Sequence, residues 1–142
     1  MARAEMTAIP FGRDVFDAVI AWDVVYHTTV EGILRTVEGV RRSLREGGLF
    51  LLTFNSTESS HVPRAREAVA RGEGEELEPD TFVVPGDLFD KALPHHYATE
   101  EEIRTHLLRG FDIVSMEEYR REYEDERGRQ RPVKWWVLAR KG

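Results

Sequence analysis

Two kinds of apolar pattern alternate along the chain. From Phe16 to Trp22 (FDAVIAW) nearly every position after Asp17 is apolar, and Leu49 to Phe54 (LFLLTF) forms a second such run. Near-continuous apolar runs of this length predict strands covered on both faces, as in a parallel sheet. Between them, Val30, Ile33, Leu34, Val37 and Leu44 recur at helical spacing and give one apolar face. Thr28 and Glu31 fit a capping box at its start. Arg41, Arg42 and Arg45 suit the negative C-terminal end, and Gly47-Gly48 can supply the left-handed stop. Strand, helix and strand in close succession make a βαβ unit, which is right-handed in almost all sheets.

The pattern then loosens. Pro63 to Ala70 reads as a short helix with Ser60 as cap, Gly72 to Asp80 (GEGEELEPD) as an acidic flexible stretch, and Thr81 to Val84 as a short strand or lid. Regularity returns at Thr99-Glu100-Glu101-Glu102, a second capping box, which opens a helix through Ile103, Leu107 and Leu108 that stops at Gly110. Phe111 to Glu122 and Val133 to Arg140 read as antiparallel strands joined by a charged turn around Gly128. The expected class is therefore α/β: β-α-β, an irregular cap over residues 56–98, then α-β-β, within one domain spanning 1–142.

Composition narrows the function. Hydrophobic residues make up 41% of the 142 positions, enough for a packed core, and the formal charge is −6. An acidic balance argues against non-specific binding to nucleic acid or anionic membranes. No run approaches a membrane span, and the start (MARAE) has no signal-like apolar stretch, so a cytoplasmic location is expected. With no cysteine, disulfides, thiol nucleophiles and cysteine metal sites are excluded. There is no HExxH, GxSxG or Walker A motif, and Gly72-Glu73-Gly74 follows a helix amid glutamates that would repel phosphate.

Ligands of open α/β sheets bind beyond the carboxyl ends of the strands. That rule selects Trp22, Asp23, Tyr26 and His27 after the first strand, and Asn55, Ser56 and Thr57 after the second. Two readings stand for the first group: local capping with a core tryptophan, or a ligand-facing turn. His95-His96-Tyr97 is the other concentration, and one histidine there could serve as a general base near neutral pH. Adjacent histidines rarely face one pocket together, and two ordinary loop histidines is the competing reading. His61 and His106 have no partner spacing.

Several segments taken together resemble the class I S-adenosylmethionine-dependent methyltransferases, most closely the small-molecule enzymes of the ubiquinone-biosynthesis type. They are Glu5-Met6-Thr7-Ala8-Ile9-Pro10-Phe11, Phe16-Asp17-Ala18-Val19-Ile20, Asp23-Val24-Val25-Tyr26-His27, and Val40 to Leu49 with its Gly47-Gly48. Tyr97-Ala98-Thr99-Glu100-Glu101, Gly110-Phe111 and Trp135 to Lys141 are similar to the start and end of the family's last helix and to its final strand. The resemblance implies a partial Rossmann-like sheet in the order 4-5-7-6, beginning just before the family's fourth strand. It lacks the glycine-rich cofactor loop and the ribose-gripping acid.

By the same resemblance, Glu5 and Met6 match adenine contacts, and Ala21, Trp22 and Asp23 match the turn at the methionine end of S-adenosylmethionine. His27 and His96 match pocket-bordering positions with catalytic potential, and Tyr26, Asn55, His95 and Tyr97 stand on the substrate side. A sulfonium cation is favoured beside a carboxylate and aromatic faces. The implied activity is methyl transfer to a small molecule. The missing loop leaves a second reading, a non-catalytic dimerisation or binding module of methyltransferase type. An unpaired Phe16–Trp22 edge would be a template for pairing with a second copy, giving a homodimer.

Overall fold

A computed structural model describes residues 3–85 and 93–142. After a 3-10 turn at Met6–Ala8, the elements are β1 (Phe16–Ala21), α1 (Val30–Ser43), β2 (Leu44–Ser56), α2 (His61–Ala70), β3 (Glu75–Glu78), β4 (Thr81–Val83) and β5 (His95–Ala98). There follow α3, one turn at Glu100–Glu102 running into a π-helical stretch at Ile103–Leu107, then β6 (Phe111–Arg120), β7 (Tyr123–Asp125), β8 (Gly128–Gln130) and β9 (Val133–Lys141).

β2 is the spine of a mixed sheet. It pairs in parallel with β1 along one edge, Ala21 opposite Leu52, and antiparallel with β9 along the other, Leu52 opposite Val137. β9 in turn pairs antiparallel with β6. Past the end of β1, β5 takes over the same edge of β2, with Asn55 opposite Tyr97 and Ser56 opposite Ala98. Through β5 the sheet continues into the β3–β4 hairpin.

Side chains alternate across a strand, and Phe50, Leu52 and Phe54 point to one buried face together with Val137 and Ala139. Ile33, Val37 and Val40 of α1 and Ile103 and Leu107 of α3 complete that core. A smaller core joins Val62, Ala65 and Ala68 of α2 to Phe82, Val84 and Tyr97.

Several expectations are corrected. β1 is not covered on both faces: Ile20 is 69% exposed, because α1 and α3 lie on one side of the sheet only. The apolar run identified a strand but not what covers it.

The α1 cap is Thr29, not Thr28; its Oγ1 accepts from the Gly32 amide, and Glu31 turns outward to Arg35. The helix ends at Ser43, and Gly47, at φ 73°, lies within the entry to β2 instead of stopping α1. Ser60 does not cap α2; its hydroxyl accepts from the Arg131 amide. The acidic stretch is a strand, not a flexible tract, since its glutamates act as hydrogen-bond acceptors. Glu78 accepts from the Val30 amide at the head of α1 and from the Thr81 hydroxyl, and Glu76 accepts from the Asp80 amide.

The expected Thr99 cap is observed, its Oγ1 accepting from Glu102 N. Past β6, the charged connection forms its own β7–β8 hairpin, fastened to α2 where Arg64 donates to the Arg127 and Arg129 carbonyls.

Candidate functional site

The chain leaves β1 through Asp23, whose φ is 54°. Aspartate tolerates this left-handed region better than most side chains, and here the residue is held from several directions. Its amide donates to Thr53 Oγ1 at 2.8 Å, and its Oδ1 accepts from Thr53 Oγ1 at 3.1 Å, Lys134 Nζ at 2.7 Å and the Tyr26 hydroxyl at 3.3 Å. Lys134 Nζ also donates to the Tyr26 oxygen at 3.3 Å and lies 5.7 Å from the centre of that ring.

Burial alone would raise the Asp23 pKa. The hydrogen bond and charge of Lys134, with the bonds from Thr53 and Tyr26, outweigh burial and hold the carboxyl below its ordinary value. Burial, then the adjacent Asp23 charge and hydrogen bond, push the Tyr26 phenol above its usual range, so it stays protonated and donates. The Asp23 side chain nevertheless keeps 42% of its surface open.

Three aromatic rings continue from this turn along the sheet face opposite α1. Trp22 lies 5.2 Å from Trp136, and Trp136 stacks on Tyr119 at 4.4 Å with an 18° interplanar angle. Trp22, Asp23, Tyr119, Arg121, Pro132, Lys134 and Trp136 line a cavity of about 240 Å³.

On the other side of Tyr26, the His27 ring packs edge-on at 4.6 Å and reaches the His95 ring at 4.6 Å. His95 Nδ1 lies 2.9 Å from the Leu93 carbonyl. A carbonyl only accepts, so Nδ1 carries the proton, and in the neutral ring Nε2 is the basic nitrogen.

The structure thus brings Trp22, Asp23, Tyr26, His27 and His95 together, with Ala21 buried behind the turn and Asn55 on the adjoining strand. It places His96 elsewhere, in a closed set where Nδ1 meets Thr81 Oγ1 at 2.7 Å and Nε2 meets Glu102 at 3.0 Å. Tyr97 is buried in the smaller core against Phe82. Glu5 and Met6 line a separate groove of about 370 Å³ with Pro10, Phe11, Phe16 and Val19. No group of three or more candidate metal ligands occurs among the described residues.

Thr53, Lys134, Trp136 and Tyr119 were not singled out from sequence. Strand register is what finds them: Thr53 sits opposite Trp136, Asn55 opposite Lys134, and Tyr119 opposite Lys134. An antiparallel final strand beside the second apolar run predicts that neighbourhood once its register is set.

No family model and no curated protein matches the chain. Solved structures do. A SAM-dependent methyltransferase from Methanosarcina mazei superposes with a TM-score of 0.71 at 18% identity, over 97% of this chain and 65% of that one. A putative methyltransferase from Bacillus halodurans gives a TM-score of 0.66 at 13% identity, over 98% and 70%. A Burkholderia thailandensis 1,6-didemethyltoxoflavin N1-methyltransferase, solved with its substrate and S-adenosylhomocysteine, gives 0.57 at 16% identity, over 97% and 48%. The chain therefore has a class I SAM-dependent methyltransferase-like fold and spans just under two thirds of the first of these structures.

Proposed function

We propose that this chain carries the methyl-transfer end of a SAM-dependent methyltransferase acting on a small molecule. One observation carries the reading: in this fold, the turn leaving β1 presents a partly open carboxylate, Asp23, next in sequence to the exposed ring of Trp22 and bonded by the hydroxyl of the buried Tyr26. Carboxylate and ring faces fit a sulfonium cation, and Lys134 already supports the same preference by bringing its ammonium to this carboxylate and over the Tyr26 ring. Ala21, Trp22 and Asp23 are assigned to the methionine end of the cofactor. Glu5 and Met6, expected at the adenine, line a different groove from Asp23, so the described residues gather one end of such a site.

When bound, S-adenosylmethionine supplies an electrophilic methyl group on sulfur. The chain's own part is positioning and charge. Asp23, fixed at its amide and its carboxylate, sets where the cation sits, and Lys134, with Thr53 and Tyr26, keeps that carboxylate ionised. As the acceptor–methyl bond forms and the sulfur–methyl bond breaks, an acceptor that carries a proton must lose it. An acceptor that attacks as an anion needs no base; for one that carries a proton, the base we assign is His27, the more exposed ring of the His27–His95 pair.

The same reading extends to assembly. Among the described residues β1 pairs only with β2, so its other edge presents backbone groups to no strand, beside an open face carrying Ile20, with Trp22 (44% exposed) following it. We infer that this edge pairs antiparallel with a second copy. A two-fold axis at Val19 sets Phe16 opposite Trp22 and keeps the two Asp17 side chains apart.

The deciding measurement is a titration with S-adenosylmethionine followed by tryptophan fluorescence, with neutral S-adenosylhomocysteine alongside. The expected result is saturable binding, tighter for the sulfonium than for the thioether and abolished by Asp23→Ala. No response at millimolar ligand, or equal binding to the Asp23→Ala variant, overturns the reading.

A further inference from the structure

The cavity beside Asp23 has a composition of its own. Its walls are the faces of Trp22, Trp136 and Tyr119, contributed by the end of β1, by β9 and by β6. Trp22 is 44% exposed and Tyr119 39%, so both keep a broad ring surface uncovered. Large aromatic faces left in water gain by being covered, and an offset or edge-on ring is the geometry they favour. Two cations, Lys134 and Arg121, also line the cavity, against one carboxylate, Asp23. Asp23 is committed to Lys134 at 2.7 Å, which leaves the Arg121 charge as the local excess. In a chain whose formal charge is −6, a cavity with a positive excess stands out.

We propose that this cavity is the methyl-acceptor site, and that it takes a planar aromatic molecule bearing an anionic group, its ring laid against the Trp22–Trp136–Tyr119 wall and its charge met by Arg121. The acceptor role rests on the methyltransferase reading; binding of such a molecule does not. The volume of about 240 Å³ sets the scale. It lies below the ~300–1,000 Å³ of pockets for drug-sized ligands, so the fit is to one or two fused rings. Ring contact supplies most of the burial, while the guanidinium selects the sign of the charge and favours a carboxylate-like group it can bind through two hydrogen bonds.

The position suits the role. Asp23 borders the cavity on one side and belongs to the sulfonium turn on the other, so an acceptor against Trp22 sits next to where the methyl group is delivered. Specificity for an anion also keeps the two ligands apart, since the Arg121 guanidinium attracts the acceptor and repels a sulfonium.

The three tryptophans provide the test. Trp22 and Trp136 line the cavity, whereas Trp135 points to the opposite face, where its indole N–H donates to the Ala98 carbonyl. Their indole N–H signals in a nitrogen–proton correlation spectrum report on the site and supply a built-in control. The probes are 2-naphthoate and its neutral and cationic analogues, 2-naphthalenemethanol and 2-naphthylmethylammonium, added without cofactor.

The expected result is a saturable shift of the Trp22 and Trp136 signals with Trp135 unmoved, and binding of the naphthoate at least fivefold tighter than of either analogue. Arg121→Gln, at an exposed position, should bring the naphthoate to the level of the alcohol, and Trp136→Leu should weaken all three. The proposal is overturned if the ammonium probe binds tightest, if Trp135 shifts as much as the others, if no signal shifts at millimolar naphthoate, or if Arg121→Gln leaves its binding unchanged. Because no cofactor is present, failure here leaves the sulfonium titration standing. Failure of that titration alone would remove the acceptor role and keep the aromatic-anion site.

Discussion

His61 makes the fold sensitive to mild acid. It opens α2, and its imidazole is pushed down from an ordinary 6.5 to about 4, first by burial and then by the charges of Arg127, Arg64 and Lys134. The folded protein therefore keeps this ring neutral where the unfolded chain protonates it. Above pH 6.5 both states are neutral and the ring contributes no pH dependence. As pH falls from 6.5 to 4 the unfolded state gains a proton that the folded state refuses, and stability drops by about 1.4 kcal/mol per pH unit. Between pH 7 and pH 5 that integrates to about 2 kcal/mol, and to about 3 kcal/mol once pH passes below the folded value.

The assay is urea unfolding at pH 7, 6 and 5 of the native chain and of His61→Gln. The other histidines are common to both proteins, and the Asp23 and Asp125 carboxyls, both held below their ordinary values, titrate beneath this window. The native chain should lose about 2 kcal/mol more than the variant, a midpoint difference on the order of 1 M urea for slopes typical of small domains. Parallel stability curves for the two proteins would refute the burial argument.

Three further outcomes follow from the same structure. His96→Ala strips a hydrogen-bond partner from both Glu102 and Thr81 at a buried position and should destabilise the chain by about 2–3 kcal/mol in urea unfolding. Lys134→Met removes the principal opponent of burial at Asp23, and the carboxyl should titrate at higher pH by carbon NMR. If two copies pair along β1 as proposed, Ile20→Lys, which puts a charge on the open face of β1, should shift the chain to monomer in sedimentation velocity without lowering the melting temperature, since Ile20 is largely exposed already.

What could be read from sequence was set by how local the signal is. The runs at Phe16–Trp22 and Leu49–Phe54, the spacing of Val30, Ile33, Leu34 and Val37, and the Thr99 cap all depend on near neighbours, and each corresponds to an observed element; Leu44, read with that helix, opens β2 instead. Thr28 and Thr29 offer the same cap chemistry one residue apart, and only the helix phase chooses between them. The β3 strand was illegible because glutamate is a poor strand former. Its acceptors are used by Val30, Thr81 and Asp80, and the first of these lies 48 positions away. The site follows the same rule: Asp23 was picked out by its place after a strand, but its partners Thr53 and Lys134 are 30 and 111 positions distant.

Asp23 shares its positive φ with Asp14 and Asp80, so the backbone conformation alone marks a turn, not a site. The difference lies in what surrounds each residue. The Asp14 carboxylate meets Lys141 at the end of β9, and the Asp80 carboxylate meets Arg66 of α2. Asp23 sits where β1, β2 and β9 converge, with bonds to Thr53 and Lys134 from the last two. A sparsely populated conformation costs of order 1–3 kcal/mol and persists only where the surroundings over-determine it. Here they do so with side chains of this chain alone, which means that the carboxylate is set in place before any ligand arrives. Preorganisation of that kind is what methyl transfer demands of a protein, since in-line displacement depends on position more than on proton traffic. Among the described residues the outer edge of β1 pairs with no strand, while the geometry of the Asp23 turn is complete where the same strand meets β2 and β9.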